Sequence, residues 1–242
     1  MAGEPTAAIL TIGNEIVSGD TENTNASWLA RRLESLGLDV RLVAALPDEI
    51  DVVAAFVRRE APAVDCLLVT GGLGGTPDDL TREALAAAFG VDQEEVPEVA
   101  ADLRARFRHD PEYAAKWALL PRGSRPLPNP LGGAPGFAIE NAYVLPGLPA
   151  EMRAMFDAIA DELRRPAPIG AWRRRLPARE SEIAALLAEA GERWPAVRIG
   201  SYPSFEPPQP TVEVVLKSSD DGALAQAAAW LDVELERVAA SA

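Results

Sequence analysis

Residues 64–79, VDCLLVTGGLGGTPDD, constrain this chain more than any other stretch. An apolar run without polar alternation suits a strand buried on both faces, as in the interior of a parallel sheet. A parallel strand is reached by a crossover, and the preceding sequence supplies the parts. AAILTIG (7–13) reads as a strand ending at Gly13, and the segment after it places Ala26, Leu29, Leu33 and Leu36 on one helical stripe before Gly37. LDVRLVAAL (38–46) reads as a second strand. Asp48 then reads as the cap of a helix with Val53, Phe56 and Val57 on its apolar face. Strand, helix, strand, helix, strand predicts an α/β fold: a three-layer, doubly wound, mostly parallel sheet.

Further along, residues 79 to 117 carry a helical pattern, with Leu80, Ala84, Leu85 and Ala88 on one face before Gly90. Residues 120–137 are rich in proline and glycine and read as loop, which at that length implies a role in a site. A helix from 150 to 164 closes this domain, assigned to residues 1–167. After the break RRPAPIG, residues 168–242 are expected to form a small α+β domain. Its order is strand 171–176, helix 180–190, strand 196–202, strand 211–217 and helix 221–239.

Composition removes several function classes. No apolar run approaches the roughly 20 residues that a membrane-spanning helix needs, and MAGEPTAAIL lacks the basic start of a secretory signal. A cytoplasmic protein without membrane association is expected. A formal charge of −14 argues against nucleic acid as a partner, and the basic cluster WRRR (172–175) reads as a solvated strand face. The single cysteine, Cys66, lies within the apolar run and reads as core. With His109 the only histidine, in the charged stretch RFRHDPE, acid–base work falls to carboxylates or metal-bound water.

The glycine-rich loop is neither of two familiar phosphate loops. Thr76 stands where a P-loop has lysine, and Pro77 stands where a dinucleotide fingerprint has its third glycine. Two readings remain. In the local one, Thr76 caps a helix, Pro77 takes its first position, Asp79 completes a capping box and Asp78 favours the positive helix end. In the other, the glycines let backbone approach a phosphate, and a divalent cation lies between that phosphate and the two aspartates, as Mg²⁺ commonly does. Both Gly13 and the 71–75 loop fall at carboxyl ends of strands, where ligands of such sheets bind. Glu15, two residues past Gly13, and Asn25, closing the polar run DTENTN, are therefore further site candidates.

The pieces IGNEIVSGDTENTNASWLARRLESLG, LLVTGGLGGTPDDLTREALA, NPLGGAPGF, LPGLPAEM and IGSYPSF, in this order, resemble the MoCF superfamily of molybdopterin-binding, MogA/MoaB-like domains. Within it they resemble the N-terminal domain type of CinA proteins. The resemblance implies a metal-dependent nucleotide pyrophosphatase that cleaves ADP-ribose or FAD to AMP and a second phosphate ester. It implies Asp78 and Asp79 as metal-linked catalytic residues, with Glu15 beside them. Gly13, Asn25, Thr70, Gly71, Gly72, Gly74, Gly75, Thr76 and Gly147 are the substrate-binding candidates, with Asn129, Gly133 and Gly136 in a second wall of the pocket. The cofactor would be Mg²⁺, Mn²⁺ or Co²⁺, with molybdopterin a possible ligand, and the partners a nucleotide or pterin and further copies of the chain, a dimer being favoured. Two other readings stay open: a molybdopterin- or nucleotide-binding module without hydrolysis, and a molybdopterin adenylyltransferase. The sequence departs from the pattern at Gly75 and Leu148, where proline is usual in CinA proteins, and at Asn14, where MogA-type motifs have aspartate. The chain ends at 242 without a domain of the kind that deamidates nicotinamide mononucleotide, so that activity is not expected.

Overall fold

Six of the seven residues of strand β1 (Thr6–Ile12) are buried, because both faces of the strand are covered. Ala8, Leu10 and Ile12 share one cluster with Val53, Phe56 and Val57, whereas Ala7 and Ile9, pointing the opposite way, are fully buried on the other face. β1 pairs in parallel with β2 (Asp39–Leu46) on one side and with β3 (Cys66–Thr70) on the other. All five residues of β3 are buried, including Cys66, whereas the edge strand β2 alternates buried or half-buried with exposed positions. The expected strands and parallel register are therefore present.

The computed structural model describes residues 5–205 and 209–241. Residues 1–33 and 38–164 form one compact unit; residues 34–37 and 165–242 form a second. In the first unit the short α1 (Asn14–Val17) precedes α2 (Thr24–Ser35), α3 (Ile50–Glu60) follows β2, and α4 (Thr81–Phe89) follows the glycine loop. Beyond α4 come β4 (Gln93–Glu95), α5 (Pro97–Arg106), α6 (Pro111–Ala115), β5 (Leu119–Pro121), β6 (Arg125–Leu127), β7 (Gly136–Ile139), β8 (Ala142–Leu145) and α7 (Pro149–Leu163). The main sheet runs β2-β1-β3-β8-β7-β6, with β8 parallel to β3 and the last two strands antiparallel. Helices α3 and α4 add Val53, Phe56, Ala84 and Leu85 to the core on one face. On the other, α2 and α7 meet through an edge-on contact of Trp28 with Phe156, ring centroids 5.3 Å apart. Three layers result, as the crossover pattern predicts.

Two expectations need correction. The helical stretch 79–117 is interrupted by β4, whose residues QEE have no apolar pattern and become a strand only by pairing with β5. The expected loop 120–137 carries β6 and the start of β7; β6 tolerates Pro126 because it is the sheet edge.

The second unit has the expected order: β9 (Gly170–Leu176), α8 (Glu180–Arg193), β10 (Arg198–Ser204), β11 (Thr211–Ser218) and α9 (Asp221–Ser241). Its antiparallel sheet runs β10-β11-β9, and Val212, Val214 and Leu216 of the central strand pack against Ile183 of α8 and Leu231 of α9. Among the described residues no helix is long and apolar enough to cross a membrane.

The β7–β8 hairpin turns at Glu140 and Asn141, and Glu140 adopts φ +50°, a left-handed conformation that costs a side-chain-bearing residue about 1 kcal/mol or more. Glycine has no such cost, although it loses more chain entropy on folding. Glu140→Gly is expected to raise the melting temperature by about 1–3 °C. The turn joins the amino end of β8, remote from the site described next, so ligand affinity should be unchanged. Paired melting curves and titrations would check both statements.

Candidate functional site

The parallel strands β1, β2, β3 and β8 all end on one side of the sheet, and the segments that follow them surround a cavity of about 530 Å³. From the end of β1 come Gly13 and Glu15; from β2, Asp48; from β3, Gly71 to Gly74; from β8, Pro146, Gly147 and Leu148. This is where ligands of doubly wound sheets bind, because the loops diverge beyond the carboxyl ends.

The glycine loop is built by close contacts. Gly71 has φ +106° and donates its amide to the Leu145 carbonyl at 3.1 Å, while its own carbonyl accepts from the Thr81 hydroxyl at 2.9 Å. Helix α4 starts at Thr81 with Leu80 as its N-cap, so Thr76 caps no helix, and of the capping box expected at Thr76–Asp79 only the bond from the Thr76 amide to the Asp79 carboxylate forms. Asp79 instead ties the loop together: its carboxylate accepts the amides of Gly74 and Thr76, both at 2.8 Å, and the Thr76 hydroxyl. Behind the loop Arg82, only 5% exposed, donates to the carbonyls of Leu73 and Gly74. Burial lowers its pKa to about 10, which leaves it charged at neutral pH. Among the described residues the amides of Gly72 and Leu73 donate to no protein acceptor.

Asp78 differs from its neighbour. It is exposed, and hydrogen bonding from Thr76 and from its own amide holds its carboxyl below the ordinary carboxylate range. The Thr76 proton goes to Asp79 in this conformation, so its pull on Asp78 comes from proximity. Asp48, expected to cap α3, does not do so. Glu49 is the N-cap, and Asp48 reaches across to accept the Asn14 amide at 2.9 Å, while the Asn14 side chain accepts the Asp48 amide at 3.3 Å. Burial raises the Asp48 carboxyl above its ordinary value; the Asn14 bond opposes this, and the charges of Glu15, Asp78 and Asp79 add to it.

That shift has a definite sign. The folded state holds the Asp48 proton more tightly than the unfolded chain, so this contribution favours folding at low pH. It is lost as pH rises through the raised value. Asp48→Asn, whose amide oxygen can still accept from Asn14, is therefore expected to melt higher than the native protein at pH 7, with the gain vanishing by pH 3. Melting curves across this range, recorded in chelator, would show it.

Of the expected site residues, Glu15, Asp78, Asp79, Gly13, Asn25, Gly71, Gly72, Gly74, Gly133 and Gly147 all line this one cavity. Thr70, Gly75, Thr76, Asn129 and Gly136 do not. Thr70 donates its hydroxyl to the Pro146 carbonyl at 2.8 Å, linking two loops. Asn129 donates to the Ala134 carbonyl and to Glu151. A side chain on Gly136 would strike the Val144 carbonyl of the neighbouring strand, and one on Gly75 would strike the Tyr113 ring.

The sequence did not single out Asp48, Glu151 or Trp117 as lining residues. Asp48 follows the end of β2 and obeys the same carboxyl-end rule as Gly13. Trp117, expected only to pack, does pack edge-on against Phe107 at 5.2 Å, but it also forms part of the wall. Six carboxylates (Glu15, Glu22, Asp48, Asp78, Asp79, Glu151) line the cavity, and among the described lining residues there is no arginine, lysine or histidine.

This donor set suits a hard divalent cation in one particular way. Among the described residues no three His, Cys, Asp or Glu side chains are gathered as a ready-made cage. Mg²⁺ does not need one, because it takes one or two carboxylates and completes its shell with water and substrate phosphate. The mutual repulsion that helps raise Asp48 is what such an ion would relieve.

Residues 8–165 match the family described as the probable molybdopterin binding domain, and residues 175–241 match the middle domain of FAD synthase. A protein of Pyrobaculum calidifontis is 38% identical over 231 residues, covering 89% of this chain and 87% of its own length. A CinA-like protein of Frankia casuarinae is 38% identical over 81% of this chain, which spans 49% of that longer protein. The crystal structure of the protein CinA from Thermoplasma acidophilum superposes with a TM-score of 0.62 at 32% identity, covering 66% of this chain and 99% of that one.

Proposed function

Because the chain belongs to the probable molybdopterin-binding domain family, with CinA-like relatives, we propose that its cavity binds a metal-bridged adenine dinucleotide. It would hydrolyse the diphosphate of ADP-ribose or FAD to AMP and a second phosphate ester. One observation carries this reading: a cavity at the carboxyl ends of a doubly wound sheet is lined, among the described residues, by six carboxylates and no cationic side chain. A phosphate would be repelled there unless a divalent cation accompanied it. The match of residues 175–241 to the middle domain of FAD synthase keeps FAD beside ADP-ribose as a candidate.

Asp78 is the principal residue we assign to hold the cation, with Asp79 and Glu15 beside it. Once bound, the ion offsets phosphate charge and acidifies a coordinated water. The unpaired amides of Gly72 and Leu73 donate to phosphate oxygens as charge develops on them. Asp48, which lines the same cavity, is the carboxylate we assign to accept the proton that the attacking water loses.

The test is chromatographic. Purified protein incubated with ADP-ribose or FAD should release AMP with Mg²⁺, Mn²⁺ or Co²⁺ and none in excess chelator. No AMP from either substrate with any of the three ions would overturn the reading. The family description supports one alternative, a binding module without hydrolysis. A tightly held pterin without AMP release would favour it, whereas consumption of ATP in the presence of a pterin would favour an adenylyltransferase.

A further inference from the structure

We infer that Asn25 reads a ring-bound amino group of the ligand, so that the cavity selects an amino-bearing heterocycle over its oxo counterpart. This rests on the reading above that a nucleotide or pterin occupies the cavity, and it names how the ring is recognised.

Asn25 lies in the first turn of α2 but does not cap it. Asn23 does that work: its side-chain oxygen accepts the Ala26 amide and the Thr11 hydroxyl, both at 3.1 Å. Asn25 is thus left for another purpose. Its Nδ2 donates to the Gly147 carbonyl at 2.7 Å, across 122 residues of chain, which fixes the plane of the amide. A flipped amide would set two oxygens face to face, so the hydrogen-bond pattern determines which atom is which. Oδ1 is then held in place, in a side chain with 7% exposure that lines the cavity, and among the described residues it has no partner.

A buried amide oxygen without a donor is costly and uncommon in native proteins, and because Asn25 is a lining residue, a ligand seated against its side chain would supply that donor. Only one other buried, unpartnered side-chain atom belongs to a lining residue among those described: the indole Nε1 of Trp117. An unpaired acceptor suits the edge of a nitrogen heterocycle that presents an amine. Adenine and a 2-aminopterin have such an edge. In hypoxanthine and lumazine an acceptor oxygen replaces the amine, and this would face Oδ1 unfavourably.

Calorimetry with Mg²⁺ tests this on the native protein. ADP-ribose is compared with its hypoxanthine analogue, and a 2-aminopterin with lumazine. The expected result is tighter binding of the amino-bearing member of whichever pair binds, by roughly tenfold to a hundredfold. Asn25→Leu should bring the ratio close to one. Binding of the pterin pair but neither nucleotide would remove the proposed reaction and leave Asn25 to be judged on the pterins. Equal affinity within every pair that binds, an unchanged ratio in a folded Asn25→Leu protein, or binding of none of the four compounds would overturn the inference.

Discussion

Asp78→Asn is expected to reduce metal-dependent AMP release by about a hundredfold or more while leaving the melting temperature unchanged. Asp79→Asn should lower both. The two aspartates are adjacent in sequence but do different work. Asp78 is exposed and interacts with Thr76 and its own amide without tying separate parts of the loop together, so asparagine removes charge and little else. Asp79 accepts two backbone amides and a hydroxyl, and an asparagine there turns one acceptor oxygen into a donor facing other donors. Kinetics alone would not separate them, since both variants lose turnover. Melting curves in chelator should: a native-like transition for Asp78→Asn and a lowered one for Asp79→Asn. If Asp78→Asn keeps full activity with Mg²⁺, Mn²⁺ and Co²⁺, the assignment of the cation to this residue fails.

The same distinction shows what the sequence could reveal. The rule that ligands gather at carboxyl ends of parallel strands leads to Gly13, Glu15 and the 71–75 glycines, because apolar runs mark where strands stop. Local chemistry misleads where one residue type serves two ends. An aspartate before a helix reads as a cap, yet Asp48 satisfies an amide 34 residues away. Thr-Pro-Asp-Asp likewise has the form of a helix start, but the chain needs those residues to close a loop, and the helix waits until Thr81. Short strands such as Gln93–Glu95 exist only through pairing, so neither composition nor periodicity marks them. Trp117 looks the same in sequence whether its indole only packs or also forms a cavity wall. Asn25 could be suspected from its polar surroundings, but its unpaired oxygen is visible only once Gly147 is brought to its other side.

Gly71→Ala is expected to be the most destabilising single-methyl change in the site, costing about 3 kcal/mol or more, whereas Gly19→Ala should cost about 1 kcal/mol. Both glycines have positive φ, +106° and +83°, so both substitutions meet backbone strain. They differ in surroundings. A methyl on Gly19 meets no heavy atom within 4 Å, but one on Gly71 would run into the carbonyl oxygen of Ile12. That oxygen belongs to the end of β1, a buried strand paired on both sides, and it cannot rotate away as a side chain could. Relief would have to come from moving the β3 loop. That movement would break the Gly71 amide bond to Leu145 and the Thr81 bond to the Gly71 carbonyl. It would also disturb Gly147, on which a methyl would lie 3.4 Å from the Gly71 Cα. Loss of stability and loss of the cavity should therefore go together at Gly71 and not at Gly19. Urea unfolding of the two variants, paired with nucleotide titration in Mg²⁺, measures both. Equal unfolding free energies for the two would show that the loop yields freely, and the rigid junction of β1, β3 and β8 at the cavity floor would have to be abandoned.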